Sequence, residues 1–358
     1  MRHLLVDISS HGFGHISQTA PVVNALAQLI PSLRITLRTT APLAILRQRF
    51  ECDFRHIPVA FDFGMTMANA VDVLVDESAA NYRNFHVDWE DKVRREAQAM
   101  QVLAPDLLFA NVPYLSLAAA QRAGVPAVGM CSLDWADIYQ HYCVRDEESQ
   151  KIHAQMVAAY NSAQCFLQPE PSMAMPDFQN TRSIGPIAKV AANQRAKINA
   201  QLPSARKEKL VLVAMGGMEF RLPMESWPRI DGVRWLVPAV WGVAREDVSA
   251  FDSFGLSFSE VLASCDAVLT KPGYGTFTEA ACAGVPVLYV ARHDWPEEPY
   301  LVEWLNQQGV CVEVPRTELE MGNLDTLLQQ VWSKGVPPIP HPTGANEAAT
   351  YLAELLAS

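Results

Sequence analysis

Three stretches of this 358-residue chain carry side chains whose types and spacing suit chemistry. The first is Ser9-Ser10-His11-Gly12-Phe13-Gly14-His15, which follows the apolar run Leu4-Leu5-Val6. Gly12 and Gly14 let the backbone turn tightly and approach a ligand, and His15, at the mouth of the next helix, can act as a base near neutral pH. The same residues also fit a tight turn whose histidines only cap or hydrogen-bond. A metal pair of His11 and His15 is disfavoured, because two glycines oppose a rigid presentation and no third ligand is identifiable. The turn reads Gly12-x-Gly14-x-x-Ser17, and the second strand ends in Arg38-Thr39-Thr40 where an NAD site wants an acid. NAD is therefore disfavoured, and NADP is left only a weak opening through Arg38.

The second stretch is Thr270-Lys271-Pro272-Gly273-Tyr274-Gly275-Thr276-Phe277-Thr278-Glu279. A strand over 267–270 runs into a glycine loop that feeds a helix over 276–283, so free amides and a positive helix end converge as an anion seat. Thr276 and Thr278 can donate to phosphate oxygens, and Glu279 can accept from the vicinal hydroxyls of a ribose. The spacing Thr276-x-x-Glu279 equally fits a capping box that needs no ligand. The third stretch, Ala291 to Pro299, offers Asp294, Glu297 and Glu298 on a proline-stiffened loop, suited to sugar hydroxyls or simply to solvent. No D-x-D occurs, so a carboxylate-held cation gripping a diphosphate is not indicated, and no G-x-x-x-x-G-K-[ST] occurs either.

The elements that must position these loops alternate strand and helix: a strand at 4–8, a helix at 16–29, a strand at 34–39 and a helix at 43–49. That order means parallel sheets covered on both faces, an α/β protein. Asp106 to Ala110 and Asp266 to Thr270 are both strand-like, and each is followed by a turn, a helix and Ala-Gly-Val-Pro, at 123–126 and 283–286. The offset is 160 residues throughout, and it also pairs Tyr114 with Tyr274, so the two halves share one plan. A proline-marked crossing over 168–189 divides them, and Lys209 to Val213, then Ala214-Met215-Gly216-Gly217, opens the second half. The final helix, 347–356, gathers Ala348, Leu352, Leu355 and Leu356 on one face and must dock.

Composition narrows the classes. With 49% hydrophobic and 19% charged residues the chain is folded, and its net charge of −11 argues against a nucleic-acid backbone binder. Seven cysteines, odd in number and without C-x-x-C, read as buried thiols of a reducing compartment. No run of 18 apolar residues and no export signal are evident, so a cytoplasmic protein without a transmembrane segment is expected. Apolar residues between Phe61 and Val75, including Phe63, Met65, Met67, Val71, Val73 and Leu74, suit a core or, less commonly, a face for a lipid acceptor.

Taken together, His11-Gly12-Phe13-Gly14-His15, Arg55-His56-Ile57-Pro58 to Phe63-Gly64-Met65, Asp134-Trp135-Ala136-Asp137-Ile138-Tyr139, Lys271 to Thr276 and Glu297-Glu298-Pro299 resemble the GT-B glycosyltransferases. The resemblance is greatest to the N-terminal glycosyltransferase-like half of L-arabinokinase and its free-standing bacterial relatives, and more distant to the lipid II-forming N-acetylglucosaminyltransferase. It implies two Rossmann-like domains facing across a cleft. Residues 1–187 would form the acceptor domain, with a C-terminal helix over 345–358 packing back on it, and 188–344 the donor domain. It implies a glycosyltransferase using a nucleoside-diphosphate sugar, UDP-linked, without metal or cofactor. His15, or a carboxylate near it such as Asp62 or Asp134, would be the base. The donor contacts implied are Gly14, Gly216, Gly217, Lys271, Gly273, Tyr274, Gly275, Thr276, Glu279, Asp294, Glu297 and Glu298. The kinase part of L-arabinokinase has no counterpart here. An epimerase or hydrolase of sugar nucleotides, or a non-catalytic binding module, stay open on the same scaffold. The acceptor and the oligomeric state are not encoded legibly.

Overall fold

The computed structural model describes residues 2–12, 14–69, 72–202, 207–216, 221–335 and 337–357. The first half runs β1 (His3–Ile8), α1 (Gly14–Leu29), β2 (Arg34–Arg38), α2 (Leu43–Arg49), β3 (Arg55–Ile57), α3 (Val75–His86) and α4 (Trp89–Leu103). It continues β4 (Leu107–Asn111), α5 (Tyr114–Ala123), β5 (Ala127–Met130), α6 (Trp135–Cys143), α7 (Glu147–Asn161), β6 (Cys165–Pro169) and β7 (Thr181–Ile184). The second half runs α8 (Arg195–Gln201), β8 (Lys209–Ala214), β9 (Val233–Val237), β10 (Val248–Ala250), α9 (Phe258–Ala263), β11 (Ala267–Thr270) and α10 (Tyr274–Ala283). It ends β12 (Val287–Tyr289), α11 (Glu298–Gln308), β13 (Cys311–Glu313), α12 (Arg316–Met321), α13 (Asp325–Ser333) and α14 (Gly344–Ala357).

The strands form two all-parallel sheets, ordered β3-β2-β1-β4-β5-β6-β7 and β10-β9-β8-β11-β12-β13. In each, the order reverses between two central strands, β1 and β4 in one and β8 and β11 in the other. Loops leaving the carboxyl ends of those strands diverge there and open a crevice, the usual place for a ligand in such sheets. All the stretches singled out above follow the carboxyl end of β1, β11 or β12. The duplication is visible in backbone detail. Tyr114 and Tyr274 each begin a helix, and Gly124 and Gly284 each end one in the left-handed region, at φ 71° and 67°. A glycine adopts that conformation without the steric cost a side chain would bring.

Apolar strand residues such as Leu4, Val6, Leu107 and Leu210 are fully buried, as strands covered on both faces require. Of the apolar residues between Phe61 and Val75, Phe61 and Met65 are buried in the core beside α3 and α6 residues, with Phe63, Met67, Val73 and Val75 packed against it. Val71 lies outside the described residues. All seven cysteines are free, six of them buried. Among the described residues no helix is long and apolar enough to cross a membrane.

α14 returns from the second half and packs on α1, with Ala348, Ala349, Leu352 and Leu356 buried there. Its entry is fixed by a backbone crossing: Gly344 N donates to Pro186 O at 3.1 Å, and a Cβ on Gly344 would lie inside the van der Waals radius of the Gly185 carbonyl oxygen. Gly344→Ala is therefore expected to cost about 1–3 kcal/mol in urea unfolding. Gly335→Ala, where a Cβ meets open space, is expected to be near neutral in the same measurement.

Candidate active site between the two sheets

The loop after β1 places His15 at the second position of α1, buried, with Nδ1 2.9 Å from Asn111 Oδ1 at the end of β4. His11 lies between two indoles, edge-on to Trp135 at 5.1 Å and stacked on Trp295 at 6.5 Å. Gly64 makes that arrangement possible: its φ is 67°, and a Cβ there would stand 2.7 Å from the His11 ring and 2.8 Å from Trp135. Burial lowers both imidazoles, His11 to about 3 with help from His15, Lys271 and Arg292, and His15 to about 4 against the opposing pull of Asn111. Both rings are neutral at physiological pH, as a proton acceptor must be.

The two carboxylates expected near His15 are engaged elsewhere. Asp62 accepts from Ser9 Oγ at 2.9 Å and from Trp135 Nε1 at 2.9 Å, so each oxygen already holds a donor. Asp134 caps α6 by accepting from Asp137 N at 2.8 Å and is fully buried. Burial, then Asp137, raises it well above the carboxylate range. Neither offers a free carboxylate to an acceptor hydroxyl.

From the second half, α10 begins at Tyr274, two residues earlier than its periodicity suggests, with Gly273 as its N-cap. Thr276 is therefore inside the helix, and the Thr276–Glu279 capping box does not form. The first turns of α1 and α10 touch: a Cβ on Gly275 would lie 2.5 Å from Ser17 Oγ. Neither first turn carries an acidic residue, so two positive helix ends face one place with no acid of their own to balance them. Lys271 joins them, lowered to about 8 by burial and by Arg292. Gly216, at φ 84°, leaves room for the Lys271 stem; Gly217 lies outside the described residues. Arg292 is buried, lies 4.2 Å over the Trp295 ring, and its Nε has no hydrogen-bond partner.

Other expected contacts have structural partners. The Tyr274 hydroxyl donates to Glu170 O and accepts from Ile187 N, tying α10 to the crossing segment, so only its backbone amide is left for a ligand. Thr278 Oγ1 bonds to the Ile187 and Tyr274 carbonyls, which removes it as a phosphate donor; Thr276 stays half-buried at the helix mouth. Glu279 accepts from Ser259 Oγ at 3.1 Å and lies 3.6 Å from Arg49 of α2. Glu298 accepts from Arg292 N at 2.5 Å and closes its own loop. The Asp294 side chain is exposed, while its carbonyl accepts from Tyr142 Oη across the cleft.

Glu297 is the acid that reaches the centre. Ser132 Oγ donates to its Oε1 at 2.6 Å and Trp295 Nε1 to its Oε2 at 3.2 Å. Gln18 Nε2 donates to Ser132 Oγ at 2.7 Å, and Asn111 Nδ2 donates to Gln18 Oε1 at 3.2 Å. Burial raises Glu297, and the Ser132 and Trp295 hydrogen bonds with the charges of Arg292 and Lys271 oppose that; as a carboxylate it only accepts, so each hydroxyl and amide orientation follows from it in turn. The chain ends with Asn111 Oδ1 accepting from His15 Nδ1, which leaves the lone pair on Nε2. A residue of the second half thus fixes the tautomer of a histidine in the first.

Asn111, Gln18, Ser132 and Arg292 have no role on sequence reasoning alone, although a signal for some of them exists. The 160-residue offset pairs Asn111 with Lys271, and Asp134-Trp135 with Asp294-Trp295. The duplicated plan therefore extends through the loops and contributes one tryptophan from each half to His11.

No protein-family model matches the chain. It is 24% identical over 334 residues to L-arabinokinase of Arabidopsis thaliana, a match covering 91% of this chain and 32% of that protein. The chain thus spans about a third of that relative's length. Among solved structures, CalG4, the calicheamicin glycosyltransferase, superposes with a TM-score of 0.62 at 18% identity, over 100% of this chain and 94% of that one. UGT89C1 of Arabidopsis thaliana complexed with UDP-L-rhamnose gives 0.61 at 14% identity, over 99% of each. The fold is the GT-B fold of glycosyltransferases, with two parallel-sheet α/β domains.

Burial raises Asp62 to about 7 from 3.8. A raised acid binds its proton more tightly when folded, so its stabilising contribution is complete below the unfolded value and lost as pH rises through about 7. The thermal midpoint of the wild type is expected to fall more steeply between those limits than that of Asp62→Asn, by up to about 4 kcal/mol equivalent.

Proposed function

We propose that the chain is a glycosyltransferase that transfers a sugar from a nucleoside-diphosphate donor, UDP-linked, to an acceptor hydroxyl in the cleft between the two sheets. The observation that carries this is the meeting of the α1 and α10 first turns at Ser17 and Gly275, with Lys271 and Arg292 beside them and no carboxylate in either turn. Such a place fits a diphosphate: its charge compensates two helix ends and the cations of Lys271 and Arg292. Amides at Gly273, Tyr274 and Gly275 and the Thr276 hydroxyl would hold the phosphates. The same groups would take the leaving-group charge without a metal ion. Glu279 would exchange its contact with Arg49 for a ribose diol. The superposition with a UDP-L-rhamnose complex supports this donor class.

His15 Nε2 would take the acceptor proton, the Nδ1 proton being held on Asn111. The links Ser132–Glu297 and Tyr142–Asp294 join the two halves, so the described conformation is closed. The crossing expected over 168–189 is partly taken up by β6 and β7, and the stretch 185–194 between β7 and α8 is where it would open to admit substrates. In this reading residues 1–187 with 345–358 serve the acceptor and 188–344 the donor, and the reduced thiols fit a cytoplasmic location.

A second reading, donor binding without transfer, draws on Asn111. An amide orients His15 but carries no charge to stabilise an imidazolium. One experiment decides between them. UDP-sugars are first screened by thermal shift. His15→Ala is then expected to lower transfer about 10²- to 10⁴-fold while leaving donor affinity within about threefold. Equal turnover in variant and wild type would overturn the role of His15. Turnover independent of any acceptor would instead indicate a hydrolase or epimerase.

Lys271 supplies a further check. A lysine that titrates near 8 binds an anion as the cation, so UDP affinity is expected to fall as pH rises past about 8. Lys271→Met is expected to weaken UDP binding about 10- to 100-fold at neutral pH and to remove that pH dependence, both read by calorimetry.

A further inference from the structure

Apart from the cleft, the first turn of α6, the middle of α7 and the loop before β7 bring Asp137, His153 and Asp177 together. One ligand-capable atom from each lies within 4.8 Å of the others. Behind Asp137 stands Asp134, fully buried. His153 Nε2 is buried without a hydrogen-bond partner, and Asp134 Oδ2 and Asp137 Oδ1 are buried with no donor from the protein, the two carboxyls meeting only each other. An unpartnered buried polar atom is costly, and these groups have no protein donor beyond a proton shared between the two carboxyls, which is where a cation would serve. Asp177 is the charge acting on both Asp137 and His153, and Asp137 acts in turn on Asp134, with no lysine or arginine among them.

The Asp177 loop is held in position independently of any ion. Asn161, the last residue of α7, donates through Nδ2 to Asp177 O at 2.9 Å and accepts through Oδ1 from Gln179 N at 2.8 Å. The loop is thus clamped on both sides of the carboxylate.

We propose that Asp137, His153 and Asp177 bind a divalent transition-metal ion of the Zn²⁺ class, with Asp134 as an outer carboxylate behind Asp137. One imidazole and two carboxylates suit Zn²⁺ rather than Mg²⁺ or Ca²⁺, which take oxygen ligands. Ligand bonds of about 2.0–2.2 Å require only modest side-chain rotation from the separations observed. The ion would clip three chain segments together and play no part in donor chemistry. Its effect on the cleft would be mechanical: Trp135, the first residue of α6, bonds Asp62 and walls His11.

The test uses the full chain, stripped with chelator and titrated with ZnCl₂ by calorimetry, alongside His153→Gln and the exposed-site variant Asp177→Asn. The wild type is expected to bind one equivalent more than either variant, or the same equivalent at least about tenfold more tightly. Mg²⁺ in excess is expected not to compete. Crystals soaked in Zn²⁺ should show an anomalous peak between the three side chains. No binding, or identical stoichiometry and affinity in all three proteins, would overturn the proposal and leave Asp134 and Asp137 sharing a proton instead.

Discussion

The first turns of α1 and α10 touch at Ser17 and Gly275, and much of the site follows from that contact. Only a glycine at 275 allows the approach, since a Cβ would enter the Ser17 hydroxyl. Each helix brings the positive end of its dipole and no acid in its first turn. Half-buried Lys271 and buried Arg292 add charge nearby, and desolvation lowers the proton affinity of both. A chain with a net charge of −11 has thus concentrated positive potential where its two halves meet. Glu297 is the acid that tempers it.

Glu297 does more than balance charge. Through Ser132, Gln18 and Asn111 it orders a one-way series of donors that terminates at His15 Nδ1. Closure of the halves and the tautomer of His15 are therefore parts of one hydrogen-bonded unit. The tryptophans at 135 and 295 repeat this logic in apolar form, one from each half on the His11 ring. Duplication of the fold explains how matched loops come to face one another. It does not make them equivalent: Asn111 orients an imidazole, while its counterpart Lys271 adds positive charge beside the two helix ends.

Much of this was legible in the sequence and some was not. Strand and helix periodicity locates β1, β2, α2 and β11 to within a residue or two, and Ala-Gly-Val-Pro marks both helix ends where Gly124 and Gly284 turn left-handed. Local spacing misleads where a helix starts early, as α10 does at Tyr274. It also misleads where a side chain is claimed by a distant partner, as Thr278 is by Ile187, Asp62 by Trp135 and Glu298 by Arg292. Ile187 and Trp135 lie in other elements, so no window of sequence contains both partners, while Glu298 is taken by a backbone amide of its own loop, which side-chain types do not reveal.

The amino-acid sequence by itself determined two parallel α/β halves, the glycine turns at their switch points, and the presence of His15 and Lys271 at those turns. These depend on backbone preference and apolar periodicity, which act over a few residues. Only the tertiary structure decided which polar groups are spent on holding the fold and which face the cleft. Hydrogen-bond partners and desolvation depend on what is packed nearby, and the groups that meet His15 Nδ1, Asn111 Oδ1 at 2.9 Å and Cys131 Sγ at 3.6 Å, are 96 and 116 positions away in the chain.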